Sequence, residues 1–212
     1  CSTRKSGRNV STTIVKYLGM ESPVVGHHCS QYSGNTDTGT MRKVIIIGNA
    51  GSGKTWLGKR LAKWLKIPYI GLDGIFWEPG GYNTRRKDIE VEADVKTIQE
   101  SECWVVDGVF GHLVDPLISV GDTLIYLDLP WEECRKNLLN RGSESSRQLD
   151  RKRAEDNFQS LLEWASKYGT RDSKASRTYH CSLFDRFSGE KHRICTRDEA
   201  DQLLEKCYDR IR

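Results

Sequence analysis

Apolar residues along this chain recur with two periods, and the switching between them predicts alternating strands and helices. Val44-Ile45-Ile46-Ile47 is a continuous β-branched run, the pattern of a strand buried on both faces. Leu57, Leu61 and Leu65 then return every fourth residue, with Lys59, Arg60, Lys63 and Lys66 on other faces; that spacing predicts a helix closed by Pro68. Further strands are expected at Tyr69-Ile70-Gly71-Leu72, Trp104-Val105-Val106, Thr123-Leu124-Ile125-Tyr126-Leu127 and His192-Arg193-Ile194-Cys195. A helix capped by Thr84 is expected to reach about Gln99, and another to follow Pro130 with Trp131, Cys134 and Leu138 on its apolar face. Residues 151–168 align Ala154, Phe158, Leu161, Leu162 and Ala165 on one stripe, and a helix near 174–187 carries Tyr179, Leu183, Phe184 and Phe187. Thr196 and Glu199 form a capping box ahead of Ala200, Leu203, Leu204 and Cys207. Strands alternating with helices imply a parallel sheet covered on both faces, a three-layer α/β domain.

Residues 1–40 break this pattern. They are rich in Ser, Thr, Gly and Asn, with no sustained apolar period, and are expected to be a disordered or non-native extension outside the domain at 41–212. Met41-Arg42-Lys43 reads as a natural beginning; the basic, acid-free stretch 1–20 has the character of a transit segment.

The loop after the first strand carries the chemistry. Gly48-Asn49-Ala50-Gly51-Ser52-Gly53-Lys54-Thr55 has the spacing of a phosphate-binding loop, whose glycines let successive N–H groups point into one concavity. Lys54 would reach the outer phosphates of a nucleoside triphosphate and the Thr55 hydroxyl would ligate Mg²⁺. A strand before the loop and a helix after it aim a helix N-terminus at the phosphates. Phosphoryl transfer needs positioning and charge neutralisation more than covalent help, so partners should stand at neighbouring strand ends. Asp107 follows a buried strand and could orient Mg²⁺ beside Thr55. Asp73 ends the second strand; it would take a proton from an alcohol acceptor, or only position an acceptor that is already a phosphate. Trp77 stacks on a flat acceptor or caps the core. Arg85 and Arg86 suit an acceptor phosphate or carboxylate. Arg141 opens a polar stretch, Gly142-Ser143-Glu144-Ser145-Ser146, flanked further on by Arg147, Arg151 and Arg153; the span at about 141–155 reads as a mobile lid with Arg141 in a catalytic role.

Composition narrows the class. With 37% hydrophobic and 29% charged residues, the chain is expected to be a soluble fold rich in surface helix. Its net charge of +4 is dispersed and does not by itself argue for nucleic acid. No apolar stretch approaches the ~18–20 residues needed to cross a bilayer. Seven cysteines without a C-x-x-C pair suit reduced thiols in a cytoplasm. A cytoplasmic monomer is expected.

These motifs resemble the nucleoside-monophosphate-kinase branch of P-loop proteins, and within it the adenylate-kinase-related DNA topology modulation family. The likeness rests on Val44 to Thr55, Leu72-Asp73 with Trp77, Trp104-Val105-Val106-Asp107-Gly108 and Leu127-Asp128-Leu129-Pro130, and covers about residues 41–210. It implies a P-loop NTPase sheet of five parallel strands in the order 2-3-1-4-5, with ATP on Gly51 to Thr55, Mg²⁺ at Thr55 and Asp107, and an arginine-bearing lid starting at Arg141. Asp107-Gly108 continues as Val109-Phe110-Gly111, without the Phe-Pro-Arg of adenylate kinases, so AMP is not implied as acceptor. The reading is an ATP-dependent kinase acting on a nucleoside monophosphate or similar small metabolite, with residues 72–100 as acceptor region. The alternative is an ATP-binding regulator acting on DNA topology or through a protein partner.

Overall fold

The computed structural model describes residues 41–78, 84–143 and 150–211. The N-terminal extension and the middle of the expected lid, Arg147 included, lie outside the described residues. Five strands, β1 (Lys43–Gly48), β2 (Tyr69–Gly71), β3 (Trp104–Gly108), β4 (Thr123–Leu127) and β5 (Glu190–Ile194), form one sheet in the order β2-β3-β1-β4-β5. Every neighbouring pair is parallel. This is the α/β P-loop arrangement, with the sequence order that the resemblance implies.

Period-two geometry explains why the central strands read as unbroken apolar runs. Ile45, Ile47, Val106, Leu124 and Tyr126 face one side, where they meet α3 (Asp88–Glu100), α4 (Gly111–Ile118) and α7 (Arg177–Arg186). Val44, Ile46, Val105, Ile125 and Leu127 face the other, against α1 (Lys54–Leu65), α5 (Trp131–Arg141) and α8 (Arg197–Ile211). Burial on both faces forces apolar residues at every position. The edge strand β5, Glu190-Lys191-His192-Arg193-Ile194, alternates instead, and its charges discourage pairing with another chain.

Several boundaries differ from the pattern-based expectation, each for a local reason. Thr84 does not cap a helix: residues 84–86 run extended against 76–78, with Glu78 N–H donating to the Thr84 carbonyl at 2.8 Å and Arg86 N–H to that of Phe76 at 3.0 Å. The helix α3 therefore starts three residues later, at Asp88. The helix α4 was not anticipated, because Pro116 lies inside it and masks the period. The helix α6 (Arg151–Ser166) opens on Asp150, whose carboxylate accepts from Arg153 N–H at 2.9 Å, and ends in a 3₁₀ turn at Lys167–Gly169. Ser176 caps α7 through Tyr179 N–H. The capping box of α8 forms as expected: Thr196 Oγ1 accepts from Glu199 N–H, and the Glu199 carboxylate accepts from Cys195 N–H.

Asp128, at the end of β4, ties three elements together. Its side chain is 4% exposed and accepts from Arg177 Nε and Nη2, each at 2.8 Å, from Arg193 Nη2 at 2.5 Å and from the Tyr126 hydroxyl at 3.0 Å. Burial opposes its ionisation, but the hydrogen bonds from Arg177, Arg193 and Tyr126 outweigh that and hold its carboxyl at about 2. The unfolded value is about 3.9, so the depressed native value stabilises the fold at pH above about 4. That contribution, about 2 kcal/mol, is lost as pH falls through about 2. Chemical denaturation of wild type and Asp128→Asn should therefore show a stability gap at pH 5 that narrows by about 2 kcal/mol at pH 2.

Candidate active site

The sheet order places β1 between β3 and β4, so the chain leaves β1 at the point where the strand order reverses, the usual ligand crevice of open α/β sheets. Gly48-Asn49-Ala50-Gly51-Ser52-Gly53 curls there, and α1 begins at Lys54. Gly51 has φ +78°, and a Cβ on it would collide with the Cys134 carbonyl of α5, so glycine is required twice over. Two asparagines brace the loop. Asn137 Nδ2 donates to the Gly51 carbonyl at 2.9 Å, and Asn49 Nδ2 to that of Ala165 at 3.0 Å. Ser52 Oγ is buried in the loop without a hydrogen-bond partner, a donor left for a phosphate oxygen.

Lys54 is buried and donates from Nζ to the Asn49 carbonyl at 2.7 Å. Burial lowers its pKa, against the pull of Asp107 and then Asp73. Asp107 is 5% exposed and accepts from Thr55 Oγ1 at 3.0 Å and from the Tyr69 hydroxyl. Burial raises its pKa; Lys54, Tyr69 and Thr55 act in the opposite direction. The Thr55 hydroxyl and the Asp107 carboxylate thus converge as hard oxygen donors beside the loop, which fits Mg²⁺, an ion that takes its remaining ligands from phosphates and water. Asp73, the first residue of the short helix α2 (Asp73–Phe76), keeps solvent contact, yet the surrounding protein pushes its carboxyl up to about 6. Burial is the main cause; Lys54 opposes it, Asp107 reinforces it and Arg141 opposes it. Arg141, the last residue of α5, acts on Lys54 as well, so its charge faces the same cleft.

The acceptor side departs from expectation. Arg86 is turned inward: Nη1 donates to Asp94 at 2.7 Å and to the Ile75 carbonyl at 2.9 Å, and Nε lies 3.8 Å from Glu90. Only 7% exposed, it is a structural residue and no acceptor ligand. Arg85 pairs with Asp88 and lies over the Phe76 ring, 4.9 Å from its centroid. Trp77 meets Phe76 edge-on at 4.9 Å and pairs with Arg85 through a backbone bridge. Phe76 stands 4.7 Å from Phe110, which stands 6.1 Å from Trp164 on α6. Phe76, Phe110 and Trp164 thus form a row of ring contacts from α2 to α6.

Tyr69 went unread in the sequence, although two glycines mark its path. A Cβ at Gly58 would come within 2.9 Å of the Tyr69 ring, and one at Gly71 within 3.2 Å of its hydroxyl. A glycine inside helix α1 costs about 1 kcal/mol relative to alanine; here it opens the route by which Tyr69 reaches Asp107. Asn137, Phe110 and Trp164 carried no comparable signal, because spatial neighbours from α5, the β3–α4 loop and α6 are remote in sequence.

The site is thus that of a P-loop protein: a glycine loop, a buried lysine and a strand-end carboxylate at the crevice of a parallel sheet. No family model matches the chain. A curated shikimate kinase from Parabacteroides distasonis is 30% identical over 114 residues, which cover 46% of this chain and 64% of that relative. A gluconokinase structure from Sinorhizobium meliloti covers 82% of this chain and 93% of its own at 13% identity and a TM-score of 0.47. A shikimate kinase from Acinetobacter baumannii, in complex with shikimate, covers 81% and 96% at 15% identity and a TM-score of 0.43. The fold assignment rests on the sheet order and the loop, not on these distant likenesses.

Replacing Tyr69 by Phe removes one donor to Asp107 while keeping the packing. Calorimetric titration should show Mg·ATP binding weakened by about fivefold, the equivalent of about 1 kcal/mol. In a separate denaturation experiment, Asp94→Ala should cost about 3–5 kcal/mol by leaving the buried Arg86 unpaired, and Arg86→Met/Asp94→Leu should recover most of that loss.

Proposed function

We propose that this chain is an ATP- and Mg²⁺-dependent small-molecule kinase whose acceptor is a hydroxylated metabolite of the sugar or shikimate type in preference to a nucleoside monophosphate. The observation that carries this reading is Asp73, a carboxyl raised to about 6 facing the same cleft as Lys54. A phosphate acceptor is already anionic and needs no base; an alcohol does, and a carboxylate poised near neutrality is suited to the task. The curated shikimate kinase agrees with a hydroxyl acceptor, since shikimate is a hydroxylated ring carboxylate.

In this mechanism the amides of Gly51 to Thr55 and the Lys54 ammonium stabilise charge on the transferring γ-phosphoryl group. Mg²⁺, held by Thr55 and Asp107, would neutralise charge on the β- and γ-phosphates. Asp73 takes the proton as the acceptor oxygen bonds to the γ-phosphorus and the bond to the ADP oxygen breaks. Arg141 adds positive charge from the end of α5, and Tyr69 keeps the Asp107 carboxylate oriented.

ATP turnover against sugar acids, small hydroxy acids and nucleoside monophosphates tests the reading. ADP should form only with an acceptor present, hydroxy compounds should be preferred, and Lys54→Ala should lower kcat by at least about 10²-fold. Silence across all three classes despite tight ATP binding would sink it. The pH profile is a separate check: kcat/KM should fall about tenfold per unit below a pKa of about 6, since the carboxylate form is required. Asp73→Asn should flatten that acid limb and reduce kcat by about 10²–10⁴-fold.

A further inference from the structure

His180 is buried in α7, and no step of the mechanism above uses it. Both of its ring nitrogens are engaged: Nδ1 lies 2.6 Å from the Tyr168 hydroxyl and Nε2 lies 3.1 Å from the Val109 carbonyl. A carbonyl can only accept, so the neutral ring carries its hydrogen on Nε2, and Nδ1 accepts from Tyr168. The Tyr168 oxygen stands 3.3 Å from the Tyr126 hydroxyl, which donates to Asp128. A buried polar chain therefore runs from the carboxylate that binds Arg177 and Arg193 to the loop after β3. Burial brings the His180 pKa down to about 4; Lys54 and Arg171 act in the same direction, the Val109 hydrogen bond and the Asp128 charge in the other, and the ring is neutral near neutral pH.

The far end of that chain lies at the proposed site. Val109 stands between Asp107, the proposed Mg²⁺ ligand, and Phe110, whose ring contacts Phe76 of α2. One side of this segment rests on the residue before Asp73. The Asp107 carbonyl accepts from Leu72 N–H at 2.8 Å, and a Cβ on Gly108 would come within 2.9 Å of the Leu72 side chain. The other side hangs from the stretch around the start of α7, by His180 on Val109 and by the Lys174 carbonyl, which accepts from Gly111 N–H at 3.0 Å. The Asp107 carboxylate has its own supports in Thr55 and Tyr69, so what His180 holds is the part beyond it, residues 109–110.

We infer that His180 is a positioning residue for the phosphate acceptor: its Nε2–H, through the Val109 carbonyl, holds residues 109–110 against the helix that begins at Asp73. The inference rests on the kinase reading above and deepens it, adding a residue that acts from behind those facing the substrate. Tyr168 fixes the tautomer on which this depends, since a neutral ring with its hydrogen on Nδ1 would have nothing to donate to Val109.

Two variants separate the tether from the packing. His180→Gln reaches as far as Nε2 and keeps a donor for Val109, whereas His180→Asn ends at the depth of Nδ1 and keeps only the contact with Tyr168. With an acceptor that supports ADP formation, His180→Asn should lower kcat/KM for that acceptor by about 10–10²-fold. The KM for Mg·ATP should stay within about threefold of wild type, and His180→Gln should recover most of the acceptor loss. Amide hydrogen exchange of the full chain loaded with Mg·ADP reads the tether without turnover. Residues 109–111 should exchange about tenfold faster in His180→Asn and near the wild-type rate in His180→Gln. In wild type, heteronuclear NMR of the His180 ring should place the hydrogen on Nε2, unchanged between about pH 6 and about pH 8; this measurement stands whether or not the variants fold. A hydrogen on Nδ1, or a ring that titrates in that window, would overturn the inference. So would equal losses in both variants, the mark of packing alone. The two readings fail separately. An exchange difference between the variants without ADP formation from any acceptor removes the kinase reading alone. ADP formation with acceptor kinetics and exchange unmoved by His180→Asn removes the His180 assignment alone.

Discussion

One lysine and two carboxylates, gathered at the ends of neighbouring parallel strands, are the constraint on which the rest of this structure depends. Lys54 follows β1, Asp73 follows β2 and Asp107 lies within β3, so sheet order alone brings together residues far apart in the chain. Burial pushes each group toward its neutral form, lowering the lysine and raising both acids. Such a cluster is uncomfortable in isolation, and the divalent cation and phosphate oxygens of the proposed function would relieve it. Much of the surrounding structure holds that arrangement in place: Tyr69 and Thr55 on Asp107, Asn49 on Lys54, Asn137 on the loop.

The arginines divide into two populations that composition cannot separate. Arg86, Arg177 and Arg193 are committed to Asp94 and Asp128, where they fix α3 to the end of α2 and tie β4 to α7 and β5. Arg141 acts on Lys54 and Asp73 at the cleft instead. The chain's net +4 is therefore a poor guide to its ligand, because an arginine already paired with a carboxylate offers little further attraction.

The fold and the geometry of the glycine loop were largely legible in the sequence because their signals are contiguous. The β1 run, the loop octet and the leucine period of α1 adjoin one another, and together they define strand, nest and helix N-terminus. The strands β3 and β4 were equally plain, since burial on both faces makes Trp104-Val105-Val106 and Leu124-Ile125-Tyr126-Leu127 continuous apolar runs. The failures arose where backbone pairing overrode side-chain pattern. Thr84 has the chemistry of a cap but is drawn into an extended pairing with Glu78, and Pro116 hid α4. Arg86 illustrates a different limit. Adjacent arginines look alike in sequence, and only the register of α3, which puts Asp94 two turns beyond Arg86, sends one inward and leaves the other at the surface.

Acceptor recognition was the least legible part for a reason of the same kind. The rings nearest Asp73 come from separate elements, Phe76 from α2, Phe110 from the loop after β3 and Trp164 from α6. No short motif spans those elements. Those rings are tied to the glycine loop through α6, where the Ala165 carbonyl, one residue from Trp164, accepts from Asn49 Nδ2. The same contact that braces the loop therefore helps to hold Trp164 beside Phe110.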